Sequence, residues 1–297
     1  VSDGAVEIFH AARAALGEGP CWDSAREELI WVDMLADTVH LTSARGSRAV
    51  PVGALPGAAV PLADGDELLL ALGAGCARLS RDGTVATLAA LPGGDPALMR
   101  VNDAKTGPDG CLWIGAVRRD MAAGGGTLNR LGRDGTVTRV LDGLDVPNGL
   151  GWSPDGTVLY LVDSPRRTIT PRAFDPARGT LLGAVGAPID TRERPGQPDG
   201  LAVDADGSLW VAFWEGAAVR CYSPAGALLE EIRLPLSRPT SCAFGGPELR
   251  DLLITSSCHG YDADRLAAEP AAGSILIARP GVAGLPTVPA RLTGCAP

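Results

Sequence analysis

Residues 146–163 read VPNGLGWSPDGTVLYLVD and residues 197–213 read QPDGLAVDADGSLWVAF. Each is a short apolar run, a turn centred on Asp-Gly and a second apolar run, which is the form of a β-hairpin with arms too short for helices. The form recurs at 16–33 (LGEGPCWDSAREELIWVD), 60–72 (VPLADGDELLLAL), 99–116 (MRVNDAKTGPDGCLWIGA) and 242–256 (CAFGGPELRDLLITS). The turns at Ser24, Asp64, Asp109, Asp155, Asp206 and Glu248 are separated by 40, 45, 46, 51 and 42 residues. A period of about 40–50 residues is that of a four-stranded propeller blade. A second series interleaves with the first: TSARGSRAV, LSRDGTVAT, LGRDGTVTRV, FDPARGTLL, YSPAGALLEEI and ARPGVAGLP. Two hairpin turns per unit mean four strands per unit. The expectation is an all-β chain, residues 1–297 forming a single six-bladed β-propeller with four antiparallel strands per blade.

The composition agrees. Hydrophobic residues make up 45% of the 297 and charged residues 21%, with 39 glycines and 24 prolines to supply turns. The formal charge of −9 disfavours a polybasic nucleic-acid binder. The longest apolar stretch, Leu68 to Ala77, is too short to cross a bilayer, and residues 1–7 are too polar and acidic for a signal peptide. Cys21, Cys76, Cys111, Cys221, Cys242, Cys258 and Cys295 are odd in number and form no C-x-x-C pair, which suggests neither a disulfide framework nor a thiolate zinc site. A cytoplasmic protein is expected, a monomer or small homo-oligomer acting on a small-molecule substrate, with no nucleic-acid or membrane partner. One short stretch, 263–272, has the composition for a turn of helix.

A blade begins at its innermost strand, so residues just ahead of each first turn should converge on the central channel. Counting back seven residues from Asp109, Asp155 and Asp206 gives Asn102, Asn148 and Asp199. Glu18 lies six before Ser24, Ser241 takes the place in the sixth unit, and the second unit offers only Gly57-Ala58-Ala59, which leaves space. Asn-Gly and Asp-Gly are common turn dipeptides, which is the plain account of any one of them. Several oxygen-bearing side chains from different blades aimed at one axis are costly to bury unless something satisfies them. Two carboxylates and an amide carbonyl suit one hard divalent cation, Ca²⁺ first, with Zn²⁺, Mn²⁺ or Mg²⁺ as alternatives. Glu18, Asn148 and Asp199 are the expected ligands, with Asn102 or Asp103 adjacent. Arg100, two residues before Asn102, is either a partner for a carboxylate or a clamp on substrate oxygen.

Other motifs carry less. Gly124-Gly125-Gly126 lacks the Lys-Ser/Thr of a phosphate loop, Asp204–Gly207 reads as a hairpin turn, and no G-x-S-x-G elbow occurs. His10, His40 and His259 have no ligand spacing, and Asp33 and Asp163 read as caps at strand ends.

The segments LGEGPCWD, RVNDAKTGPDGCLWIG, VPNGLGWSPDGTVLYLVDS, QPDGLAVDADGSLWVAFWEGAAV and LPLSRPTSCAFGG resemble, in that order, the signature segments of the gluconolactonase, regucalcin and luciferin-regenerating-enzyme family, from about Glu18 to Gly281. The resemblance implies a six-bladed propeller with one catalytic divalent metal in the channel. It puts the family's metal-binding Glu, Asn and Asp on Glu18, Asn148 and Asp199, and its substrate-contacting Arg and Asn on Arg100 and Asn102. A family substrate-binding acid falls on Asp120, one methylene shorter than the Glu of regucalcin-like members. Ala104 stands where the family often has glycine, and Gly115-Ala116-Val117 where it has G-T-M, in a region that would hold a polyol ring. The expected activity is a metal-dependent lactonase opening a sugar-acid lactone or similar cyclic ester, with Asp199 as general base. The rival readings are a phosphotriester or aryl-ester hydrolase, a biosynthetic cyclase or isomerase on the same scaffold, and a non-enzymatic calcium-binding or interaction propeller.

Overall fold

The computed structural model describes residues 6–293. Residues 1–5, which hold most of the amino-terminal stretch discussed above, and Cys295 lie outside the described residues. Six antiparallel sheets surround one axis. Their innermost strands are Gly17–Asp23, Pro56–Pro61, Met99–Thr106, Pro147–Trp152, Gln197–Val203 and Pro239–Gly245. Each touches the next and the sixth returns to the first, so the ring is closed. The expected six-bladed propeller is the observed fold.

The second strand of each blade is apolar almost throughout because it is covered on both faces by neighbouring blades. Leu29, Ile30, Trp31 and Val32 in the first blade, and Leu209, Trp210, Val211, Ala212 and Phe213 in the fifth, are buried without alternation. Outer strands such as Val85–Ala90 and Leu228–Arg233 are half-exposed. Two buried indole N–H groups find acceptors at hairpin turns: Trp113 Nε1 donates to Asp109 Oδ1 at 3.3 Å and Trp210 Nε1 to Asp204 Oδ2 at 2.9 Å, whereas the buried Trp152 Nε1 has no partner. Asp109 and Asp204 thus shape their turns through backbone N–H groups and also pair a buried donor.

Two features depart from the simple repeat. The turn ARPGVAGLP makes no hairpin in the sixth blade; the fourth strand there is Glu7–His10, paired antiparallel with Ile275–Ala278. The chain after Ala278 instead crosses the lower face, where Gly284 N donates to Leu249 O, Ala205 N to Ala283 O, Ala290 N to Pro61 O and Arg291 N to Gly110 O. The fourth blade also gains a fifth, two-residue strand, Ile189–Asp190. The helical turn expected near 263–272 is a helix over Ala263–Ala268, capped by Asp262. Among the described residues no helix is long and apolar enough to cross a membrane, and the six cysteines there are free thiols.

At the axis the inner strands crowd each other. A Cβ on Gly149 would come within 2.5 Å of Asp199 O, and one on Gly200 within 1.9 Å of Ser241 Oγ. Asn148-Gly149 and Asp199-Gly200 are therefore not turns. They lie inside strands, and glycine follows the polar residue because the next blade's backbone passes there. Gly149→Ala is expected to destabilise the fold by about 2–3 kcal/mol through overpacking against backbone, read as a lowered urea midpoint at unchanged m-value.

Candidate metal and substrate site in the channel

Every inner strand breaks register against its neighbour at the same height: between Glu18 and Cys21, Pro56 and Ala58, Val101 and Ala104, Pro147 and Leu150, Pro198 and Leu201, and Pro239 and Ser241. A bulge frees residues from the ladder and re-aims their side chains. Asn102, Asp103, Asn148 and Asp199 lie within these bulges and Glu18 at the edge of one.

The connectors leading into two of these strands are held by the aspartates that end the second strands. Asp33 accepts from Ala15 N at 2.8 Å and Leu16 N at 3.0 Å, just before Glu18. Asp163 does the same for Asp145 N and Val146 N, both at 3.0 Å, just before Asn148. The caps expected from sequence thus fix where two site residues begin.

Glu18, Asp103, Asn148 and Asp199 are buried, while Arg100 and Asn102 are half-buried. Glu18 Oε2 accepts from Gly19 N at 3.2 Å, and Asn148 Nδ2 donates to Ser164 Oγ at 3.2 Å. Arg100 Nη1 donates to Asn102 Oδ1 at 2.8 Å and to Val101 O at 2.9 Å, and lies 3.5 Å from Met34 Sδ. Asn102 Nδ2 bonds Pro147 O at 3.2 Å, tying the third blade to the fourth. Lys105 Nζ reaches across to Leu201 O at 2.6 Å and holds the far end of the Asp199 bulge. Asp199 Oδ1 is buried with no hydrogen-bond partner.

The electrostatics follow from burial. Desolvation raises the Glu18 carboxyl well above its usual range, and the neighbouring Asp199 and Asp103 raise it further. Asp199 is raised in the same way by burial and then by Asp103, against a hydrogen bond from Asn148. Asp103 is pushed up to about 6 by burial, with Lys105 opposing. Burial lowers Arg100, Glu18 and Asp199 pull it up, and Arg119 lowers it again. A carboxyl with a raised folded-state pKa favours the fold while protonated, so this layer costs stability as pH rises through those values. Three acids facing only Arg100 and Lys105 form a site short of positive charge.

The donor chemistry fits a hard divalent cation: carboxylate oxygens from Glu18 and Asp199, the amide oxygen of Asn148, and an orphaned Oδ1 that a cation would satisfy. No group of three or more His, Cys, Asp or Glu side chains suited to a metal is present among the described residues; the set here has two carboxylates and an amide. Beneath it, on the Lys105 side, lies a mostly apolar cavity of about 310 Å³, walled by Val60, Trp152 and Phe244 and floored by Leu285–Val288 of the carboxy-terminal strap.

The structure brings Glu18, Asn148, Asp199, Arg100 and Asn102 together. Asp120 stands apart on the rim: its side chain is 55% exposed and accepts from Arg118 Nε at 2.9 Å and Nη2 at 2.5 Å. Sequence reasoning missed Met34, Ser164 and Lys105. Lys105 was within reach of it, since the two-residue period of a strand puts Lys105 and Asp103 on one face. Met34 and Ser164 carry no such signal.

Residues 16–258 match the family model described as SMP-30/Gluconolactonase/LRE-like region. The chain is 34% identical over 255 residues to pentonolactonase XacC of Haloferax volcanii, covering 86% of this chain and 85% of that one. It is 30% identical to regucalcin of Gallus gallus, covering 96% and 97%. Among solved structures it is similar to a regucalcin of Agrobacterium tumefaciens described as a calcium-binding protein, with a TM-score of 0.91 at 28% identity, covering 97% and 98%.

Glu18→Gln and Asp199→Asn each remove one of the mutually repelling buried charges. In chelator-treated protein each is expected to raise the melting temperature by about 2–4 °C, and a rise on adding Ca²⁺ is expected of the parent but not of either variant. Differential scanning calorimetry with and without chelator checks both.

Proposed function

The chain belongs to the SMP-30/gluconolactonase/LRE-like family, and on that premise we propose that it is a metal-dependent lactonase, hydrolysing a sugar-acid lactone or similar small cyclic ester in the central channel. The observation that carries this reading is the buried layer of Glu18, Asp103 and Asp199 beside an unpartnered Asp199 Oδ1 and a single guanidinium. A site built for structure alone has no use for that much unneutralised charge.

Glu18, Asn148 and Asp199 are the proposed ligands, and Ca²⁺ is the first candidate. A divalent cation there supplies Lewis acidity, drawing electron density from an ester carbonyl and making adjacent water more acidic. Asp199 is the proposed general base. A carboxylate has two oxygens, so one would hold the cation while the other takes the proton of the attacking water. Asn148 donates to Ser164, which sets its amide plane and leaves Oδ1 as the atom turned to a ligand.

Arg100 and Asn102 form a ready-made pair for substrate oxygens. The guanidinium is pinned by Asn102 Oδ1 and Val101 O and keeps other N–H groups for an ester or hydroxyl oxygen. Because both ends are already held, little side-chain freedom is lost when substrate arrives. Asp120 enters the same reading from the rim, where its carboxylate must leave Arg118 before it can accept from a substrate hydroxyl.

The test is hydrolysis of a lactone panel by chelator-stripped protein given Ca²⁺, Mg²⁺, Mn²⁺ or Zn²⁺ in turn, followed by pH-stat. Activity is expected with at least one ion and none with chelator, and Asp199→Asn is expected to lose on the order of 10²–10⁴-fold in kcat with folding retained. Equal rates in chelator, or in Asp199→Asn, would remove the metal and the base from the reading.

A further inference from the structure

The chain has 26 basic side chains, and 25 of them are arginine. The one lysine is Lys105, on the inner strand of the third blade, two residues after Asp103. Its ammonium donates to Leu201 O, on the inner strand of the fifth blade, at 2.6 Å. Asn102 to Pro147 O and Thr240 to Gly17 O join inner strands of neighbouring blades, but the Lys105 bond passes over the whole of the fourth. Its charge is felt around the ring as well. It opposes the burial-driven rise of Asp103, of the Cys21 thiol in the first blade and of the Cys242 thiol in the sixth. Lys105 therefore reaches into the middle of the channel, on the side of the lower cavity.

What it holds there is the Asp199 bulge. Pro198 pairs with Phe213 and Leu201 with Val211, so Asp199 and Gly200 have no ladder partner in between. Sideways the segment is wedged, with Asp199 O close against Gly149 of the fourth blade and Gly200 close against Ser241 of the sixth. Toward the axis the innermost strand is the edge of its sheet, and there the ammonium holds Leu201 O. The Asp199 side chain depends on this backbone, because its Oδ1 has no hydrogen-bond partner and the bond it does receive comes from Asn148, itself a proposed ligand. A cation placed for neutralisation alone would sit on Asp103 or Asp199; this one directs its hydrogen bond to a neutral carbonyl. An ammonium on a flexible stem suits that task, since it is a compact donor, whereas a guanidinium brings five N–H groups in a fixed fork.

We propose that Lys105 is the positioning residue of the metal layer: its bond to Leu201 O fixes the bulge, and with it the angle at which Asp199 presents its carboxylate, and the task needs an ammonium. This rests on the reading of Asp199 as metal ligand and base, and adds the group that holds it in place. Tether and counter-charge make opposite predictions. A positive charge beside the acids repels a divalent cation, so a Lys105 that served only as a counter-ion would weaken metal binding, and its removal would tighten it. A Lys105 that holds Asp199 in place strengthens binding, and its removal weakens it.

The experiment is calorimetric titration of the chelator-stripped parent, Lys105→Met and Lys105→Arg with Ca²⁺, Mg²⁺, Mn²⁺ and Zn²⁺, with thermal melts of the ion-free proteins alongside. For the ion the parent binds, Kd is expected to rise about 10–100-fold in Lys105→Met and about tenfold in Lys105→Arg. At saturating ion, kcat on the lactone the parent opens fastest is expected to fall about tenfold in either variant while KM keeps its parental value. A tighter Kd in Lys105→Met assigns the residue to charge compensation and overturns the proposal. An unchanged Kd beside a lowered melting temperature overturns it as well, since a residue of the fold alone gives that result. A parental Kd in Lys105→Arg removes the need for an ammonium and overturns it too; where Lys105→Met does not fold, Lys105→Arg decides alone. If the parent binds none of the four ions, the metal reading of Asp199 fails first and takes this one with it. Ion binding by a parent that opens no lactone removes the lactonase reading, and the Kd values still decide whether Lys105 is the tether.

Discussion

Six strands meeting at one axis leave little room, and that scarcity decides what each residue there can be. Where blade backbones pass closest only glycine fits, as at Gly149 and Gly200. One residue earlier the strand bulges, the side chain is freed from the ladder, and it can enter the channel. A crowded axis and a bulge at constant height therefore produce polar-residue-then-glycine in successive blades. The second blade carries small residues instead, Gly57-Ala58-Ala59, and puts no polar side chain into the ring there.

The channel's electrostatics are a consequence of that packing. Side chains so placed have no water to turn to, and the carboxyls of Glu18, Asp103 and Asp199 raise their pKa values by burial before any neighbour is considered. The protein moderates this with two cations from one strand. Arg100 faces the mouth and Lys105 the lower cavity, with Asn102 and Asp103 between them. Both are fixed by backbone carbonyls, Val101 O and Leu201 O, and neither is given over to a salt bridge. Positive charge is thus held near the acids without neutralising any one of them.

Much of this architecture was legible in the sequence, for a physical reason. The blade repeat is enforced by hairpin turns, which have strong residue preferences, so the positions of Glu18, Asn148 and Asp199 could be found by counting from Ser24, Asp155 and Asp206. Asp33 and Asp163 were legible as caps but not as the groups that set the entry of Glu18 and Asn148, because that needs the preceding connector in place. Contacts between blades had no such signal. Met34 reaches Arg100 across 66 residues and Lys105 reaches Leu201 across 96, and no local pattern records either. The clasp of Arg118 on Asp120 spans only two residues, yet its geometry depends on how the 118–126 loop folds back. The sixth blade misled for another reason: its apparent second turn, at 278–286, has the composition of a hairpin but is drawn away across the lower face.

That sixth blade joins two segments far apart in the sequence. Glu7 pairs with Ile277, and Ile8 with Leu276. A ribosome must release Ile275–Ala278 before this sheet can be completed, so five blades can assemble during synthesis while the sixth waits with its edge strand unpaired. Closing a loop of such length is entropically slow. The seam between Glu7–His10 and Ile275–Ala278 is accordingly where nascent copies are most exposed to pairing with one another.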